Sequence, residues 1–262
     1  MATQGAWFWD SRVNSPEDQF MAVLHNPKEM NGSIDSVLKS INSSSDYRNL
    51  FASAYGIKSG LKVESKHIAS AIAAFENSLK AYNAPFDKFM NGNLKALNAE
   101  QRQGLNLFVG KAQCASCHFL PTTGGTVPPL FGESEWEIIG VPANLAQTEL
   151  DGDVGAYTVF KKDLHKFAFK TPSLRNVEFT APYMHNGVFQ SLDQVVDFYN
   201  EGGGQGLGYA VPNQTLPADK LNLNPQEKAA LVAFMKALSD KKSIDFTKPK
   251  KLPALANAQL NK

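Results

Sequence analysis

The sequence predicts a mainly α-helical fold, and three observations lead there. Helix-start signals recur along the chain, strand alternation is scarce, and one long Gly-, Pro- and Thr-containing stretch from Phe119 to His165 lacks periodicity. In chain order, Ser15-Pro16-Glu17 places an N-cap before a proline at the first helical position, which opens a helix through Leu24. Ser33 to Ile41 and Ser45 to Tyr55 read as two short helices, and Glu64 to Tyr82 as a long one. Asn98-Ala99-Glu100-Gln101, Ser191-x-x-Gln194 and Asn224-Pro225-Gln226-Glu227 have the spacing of capping boxes, in which the side chains of the cap and of the third helical residue satisfy each other's backbone N–H groups. A break at Asn91-Gly92-Asn93 divides the chain into an N-terminal helical piece, 1–92, and a second domain, 93–240. The Lys- and Pro-rich end, 241–262, reads as an extended tail, and no internal repeat is present.

Composition narrows the function classes. With 262 residues, 43% hydrophobic and 19% charged, the chain can bury a sizeable core and is not of disordered type. Lys and Arg total 26 against 25 Asp and Glu, so no global field draws nucleic acid or an anionic membrane. The longest unbroken apolar run, Ala229 to Met235, is far short of the roughly 20 residues of a membrane span. Residues Met1-Ala2-Thr3-Gln4 have no basic segment leading into an apolar one, so they are not expected to form a secretion signal.

The chain has two cysteines, and their spacing carries the chemistry. Cys114, Cys117 and His118 form Cys-x-x-Cys-His, the pattern of covalent c-type haem attachment. Residues i and i+3 share a helical face, so both thiols can meet the two vinyl groups of one porphyrin, with His118 as the iron's proximal ligand. A thioredoxin-like dithiol or half of a zinc site is the alternative, with neither a βαβ pattern nor a second Cys/His pair nearby to favour it. The aperiodic stretch after Phe119 then reads as long loops wrapped around the haem.

Further motifs carry a resemblance. Thr171-Pro172-Ser173-Leu174-Arg175-Asn176-Val177, Thr180-Ala181-Pro182-Tyr183-Met184-His185-Asn186-Gly187, and Ser191-Leu192 through Phe198-Tyr199-Asn200 to Gly202-Gly203 resemble the C-terminal haem domain of the bacterial di-haem cytochrome c peroxidase and MauG family. Upstream, Phe8-Trp9-Asp10-Ser11-Arg12, Gln19, Asn26-Pro27-Lys28-Glu29-Met30 and Ala71 to Glu76 resemble the same family's middle section. The match implies a c-type cytochrome domain preceded by the helical remainder of a second cytochrome c-like domain. Family members carry two Cys-x-x-Cys-His motifs, and this chain has only the second. Residues 1–92 therefore read as a partial peroxidatic domain without its own haem motif.

What the resemblance implies for individual residues is specific. Gln19 and Glu29, ten residues apart, match the polar pair that relatives place over the open face of the first haem, where a carboxylate can shuttle a proton between the oxygens of a peroxide; a solvated helix glutamine and an exposed loop glutamate are the alternative. Trp9 matches the tryptophan between the two haems and is a candidate electron relay, with plain core packing as the alternative. Thr180 and Pro182 match positions whose carbonyls help bind calcium, a hard cation suited to oxygen ligands. Arg175 is expected on a haem propionate, with a surface ion pair as the alternative. Tyr199, fourteen residues after His185, stands where peroxidases supply a methionine and MauG a tyrosine as distal iron ligand; Met184 is the competing candidate, and a core tyrosine the plain one. His25, His67 and His165 match no ligand position, and His185 is expected to hydrogen-bond near the haem. Phe75, Phe108, Phe167, Phe169 and Phe179 are expected in the core or haem pocket.

The implied activity is peroxide reduction with electrons entering at the His118 haem, donated by a small cytochrome or a cupredoxin. Oxidation of a protein substrate in the manner of MauG, and electron carriage without catalysis, are the alternatives. Covalent haem implies an exported, periplasmic location, and a homodimer is compatible with the family.

Overall fold

The computed structural model describes residues 5–58 and 60–241, which fall into two compact units; the expected tail beyond Lys241 lies outside the described residues. One unit spans Val13–Leu79. The other comprises residues 5–12 and 80–241. The division therefore falls near residue 80 and not at 91–93.

The first unit consists of four helices, α1 (Pro16–His25), α2 (Ile34–Ser43), α3 (Ser45–Tyr55) and α4 (Ser65–Ser78). Ser15 caps α1 as its spacing predicts, its hydroxyl accepting from the Asp18 N–H at 3.0 Å. Gly32 follows α1 closely, its N–H donating to the Leu24 carbonyl at 2.7 Å. Ile41, Val63 and Ile68 make the buried centre, with Phe20, Leu38 and Ile72 packed against them. Asn42 ties the segment before α4 back to α2: its amide donates to the carbonyls of Leu38 and Val63, and its oxygen accepts from the Val63 N–H. Helix α4 ends at Ser78, earlier than Tyr82, where Leu79 leaves helical geometry at ψ 88°. Its N-terminus is closed by His67, whose Nδ1 accepts from the Glu64 N–H at 3.0 Å.

The second unit carries α5 (Pro85–Met90), α6 (Ala99–Val109), a two-stranded antiparallel ribbon of β1 (Trp136–Glu137) and β2 (Phe169–Lys170), α7 (Tyr157–Phe160), α8 (Leu192–Asn200), α9 (Gly203–Gly206) and α10 (Pro225–Lys236). All three predicted capping boxes form, on α6, α8 and α10. Helix α5 explains the shifted boundary: Phe86 is fully buried, its ring 5.6 Å from that of Phe234, and its N–H donates to the Ala237 carbonyl. Phe108 meets Phe234 from α6 at 5.1 Å, so three edge-packed rings fix α5, α6 and α10 together. Helices α6 and α10 cross at Gly104, where a Cβ would sit 1.9 Å from the Ala230 carbonyl oxygen. Only glycine permits that approach. No helix among the described residues is long and apolar enough to cross a membrane.

Candidate functional site

Helix α6 ends at Gly110, the chain turns through a left-handed Gln113 at φ 54°, and Cys114–Ser116 form one 3₁₀ turn. With about three residues per turn, positions i and i+3 eclipse, which places Cys114 and Cys117 on the same side more strictly than an α-helix would. The His118 N–H donates to the Cys114 carbonyl at 3.0 Å, closing the motif. The cysteines are free, and all three side chains line a cavity of about 410 Å³.

Burial governs the electrostatics of this trio. It pushes both thiols up to about 12, so they are neutral and lack the low-pKa character of a redox-active dithiol. Burial likewise holds the His118 imidazole down at about 4, against the opposing pull of the Pro172 and Thr123 backbone carbonyls. The ring is therefore neutral at ordinary pH, the state in which imidazole ligates metal, and its Nδ1 has no fully formed hydrogen bond among the described residues. Among the described residues, no group of three or more His, Cys, Asp or Glu is gathered for a metal ion. Two neutral thiols and a neutral imidazole opening onto one apolar cavity fit haem c.

The cavity walls come from the core that the aromatic helices build. Phe108 on α6, Val196 on α8 and Leu231 and Met235 on α10 supply apolar surface, while Val177 and Leu174 close one side. Tyr199 faces the cavity from α8; burial, with the nearby Cys114, Cys117 and Glu137, pushes its phenol above the usual tyrosine range. Met184 lines the same cavity, held at a positive φ of 71°. Both distal candidates are thus brought to the site.

Trp9 also lines the cavity, belonging to the second unit despite its early position, and its carbonyl accepts from the Lys170 N–H at 2.8 Å. Thr180 and Pro182 border the cavity as well. Arg175 does not line it: the guanidinium pairs with Asp87 at 2.7 Å and donates to the Pro121 carbonyl, three residues past the haem motif. The pair is largely buried, so it is not the surface ion pair that the sequence offered as the alternative. Gln19 and Glu29 belong to the first unit. The Gln19 Oε1 is buried without a hydrogen-bond partner among the described residues, whereas Glu29 is exposed and accepts from the Asn26 amide at 2.7 Å.

His185 does hydrogen-bond near the cavity, its Nε2 3.4 Å from an Asp151 oxygen and its ring stacked 3.6 Å from Phe169. Phe108 and Phe169 line the cavity, but Phe75 and Phe179 are exposed, which corrects the expectation of core packing for those two. Sequence reasoning missed Glu137 and Lys170, which line the cavity from β1 and β2. Lys170 is buried, and burial lowers it to about 8. Two-residue strands leave no alternation to read, so nothing local marks these charges as facing inward.

The family model for di-haem cytochrome c peroxidase matches residues 1–95. The chain is similar to the methylamine utilization protein MauG of Methylorubrum extorquens, 32% identical over 233 residues that cover 89% of this chain and 60% of that protein. It is similar to the cytochrome-c peroxidase IdrP1 of Denitromonas iodatirespirans, 32% identical over 271 residues covering 93% of this chain and 67% of the relative. Among solved structures, a MauG-like protein associated with microbial copper homeostasis aligns with a TM-score of 0.79 at 26% identity, covering 92% of this chain and 73% of that one. The chain spans 60% of the length of the MauG relative.

Proposed function

The chain belongs to the di-haem cytochrome c peroxidase and MauG family, and from that premise we propose that it binds one haem c and acts in an exported, peroxide-reducing oxidoreductase. One observation carries the reading: Cys114, Cys117 and His118 open together onto an apolar cavity with Tyr199 and Trp9 in its wall. When bound, the haem supplies one-electron chemistry.

The protein's own residues divide the remaining work. Cys114 and Cys117 would hold the group covalently, and His118 and Tyr199, the latter at the position where MauG has a tyrosine, would ligate its iron. As a hard anionic donor, the tyrosine oxygen would favour ferric over ferrous iron, at a potential below that of a His/Met centre. Trp9, at the cavity wall, is the proposed relay. Gln19 and Glu29 are assigned to proton handling at peroxide, with the carboxylate as the group that accepts and returns the proton. Arg175 acts as a positioning residue for the segment after His118, through Asp87 and the Pro121 carbonyl. The Thr180 and Pro182 carbonyls are assigned as oxygen donors to calcium, a hard cation suited to such ligands. A small cytochrome or cupredoxin is the proposed donor, and the periplasm the proposed location.

Two experiments test the assignment. Tyr199→Phe should shift the ferric spectrum toward high spin while Met184→Leu leaves it nearly unchanged; the reverse pattern identifies a His/Met centre. Peroxide turnover by the chain alone should stay at background and rise when a segment with a second Cys-x-x-Cys-His is supplied, and Glu29→Ala should remove most of the gain. Background turnover in that enlarged protein, with both haems loaded, would favour the electron-carrier reading.

A further inference from the structure

Helix α7 and the 3₁₀ turn after it, Asp163–His165, form a surface patch that the haem reading does not use. Phe160 is 38% exposed and Leu164 69% exposed. Around them stand Lys161, Lys162 and Lys166, all exposed, and none forms an ion pair with a carboxylate of the described residues. Three lysines against the single acid of this stretch, Asp163, concentrate positive charge in a chain whose overall balance is only +1. Exposed apolar side chains inside a charged rim are the anatomy of a transient protein interface, with the rim steering encounter and the centre supplying contact.

What lies beneath the patch suggests the partner. Phe160 and His165 both pack on Trp136, at 4.8 and 5.0 Å between ring centroids, and on each other at 5.4 Å. The Trp136 indole is fixed by donating to the Ser11 hydroxyl at 2.7 Å. Trp136 pairs with Lys170 across the ribbon and precedes Glu137, and both of these line the cavity. The patch therefore packs on Trp136 of the same ribbon whose Glu137 and Lys170 wall the proposed haem site.

Resting on that haem reading, we propose that this lysine-rimmed aromatic patch docks a small one-electron carrier protein whose redox group lies at an apolar edge ringed by acidic side chains. The test is titration calorimetry of the haem-loaded chain with plastocyanin as an acidic cupredoxin probe and mitochondrial cytochrome c as a basic control, at about 20 and about 200 mM ionic strength. Plastocyanin should bind at low salt and weaken at high salt, and cytochrome c should not bind. The triple variant Lys161→Glu, Lys162→Glu, Lys166→Glu should weaken plastocyanin by at least about ten-fold. Phe160→Ser with Leu164→Ser should also weaken it while its salt dependence persists. Unchanged haem absorbance and circular dichroism in each variant separate lost docking from lost folding. Equal binding by the triple variant, or equal binding of cytochrome c, overturns the proposal. So does a dimer in sedimentation velocity that the Phe160→Ser, Leu164→Ser variant abolishes, which would make the patch a contact between copies. A chain that loads no haem overturns the cofactor reading alone, because the same variant comparison is read on the haem-free protein.

Discussion

The two units of this chain bury their residues to different ends. In the second, Phe86, Phe108 and Phe234 are almost fully enclosed, and the helices they clamp surround a cavity into which thiols, imidazole and phenol all point. In the first, the buried centre is smaller and aliphatic, made of Ile41, Val63 and Ile68, with no buried aromatic ring among its described residues. Packed rings in one unit frame a shaped space, whereas the other packs aliphatic side chains between four helices. A rigid aromatic frame suits a cofactor that must keep a fixed geometry.

That contrast sets the largest expected effect. Phe234→Ala removes the ring shared by Phe86 and Phe108 and should cost about 3–5 kcal/mol, read as lost hydrogen-exchange protection in α6 and α10. Ile68→Val in the first unit should cost only about 0.5–1.5 kcal/mol, read in α1 and α4. Similar losses for the two would break the comparison.

Acid should separate the units in sign. His118 is held at about 4 in the folded chain against an ordinary 6.5, so the unfolded chain binds the proton more readily. In the haem-free protein the second unit should lose stability as pH falls from about 6.5 to about 4, by on the order of 3 kcal/mol, and His118→Ala should flatten that curve. Glu76 runs the other way. Burial and the neighbouring Glu17 raise its carboxyl, so its contribution is present below the ordinary carboxylate range and lost as pH rises through the folded value. Glu76→Gln should remove that loss, measured as protection in α4 across pH 4 to 7.

A smaller effect belongs to the helix crossing. Gly104→Ala forces a methyl against the Ala230 carbonyl and should cost about 1–3 kcal/mol, with the haem absorbance retained. A neutral result would mean that α6 and α10 can part without disturbing the site.

Much of this was legible before any coordinates. Ser15, Asn98 with Gln101, Ser191 with Gln194, and Asn224 with Glu227 each mark a helix start by local hydrogen bonding, and local chemistry is readable in sequence. Cys-x-x-Cys-His is local too. Long-range pairing was not readable: the partner of Arg175 is Asp87, 88 positions away, and no periodicity announces it. Nor could the sequence show that Trp9 and Lys170 would share a wall with His118, since both depend on strand and loop contacts far apart in the chain. The helix α5 was missed because six residues opened by Pro85 give too short a window for a helical period.

The central claim is that Cys114 and Cys117 fasten haem in this cavity, and acid-acetone extraction of the haem-loaded chain tests it most directly. The colour should stay with the protein at one haem per chain, and leave it in the Cys114→Ala, Cys117→Ala variant; release of all haem from the unaltered chain would contradict the account.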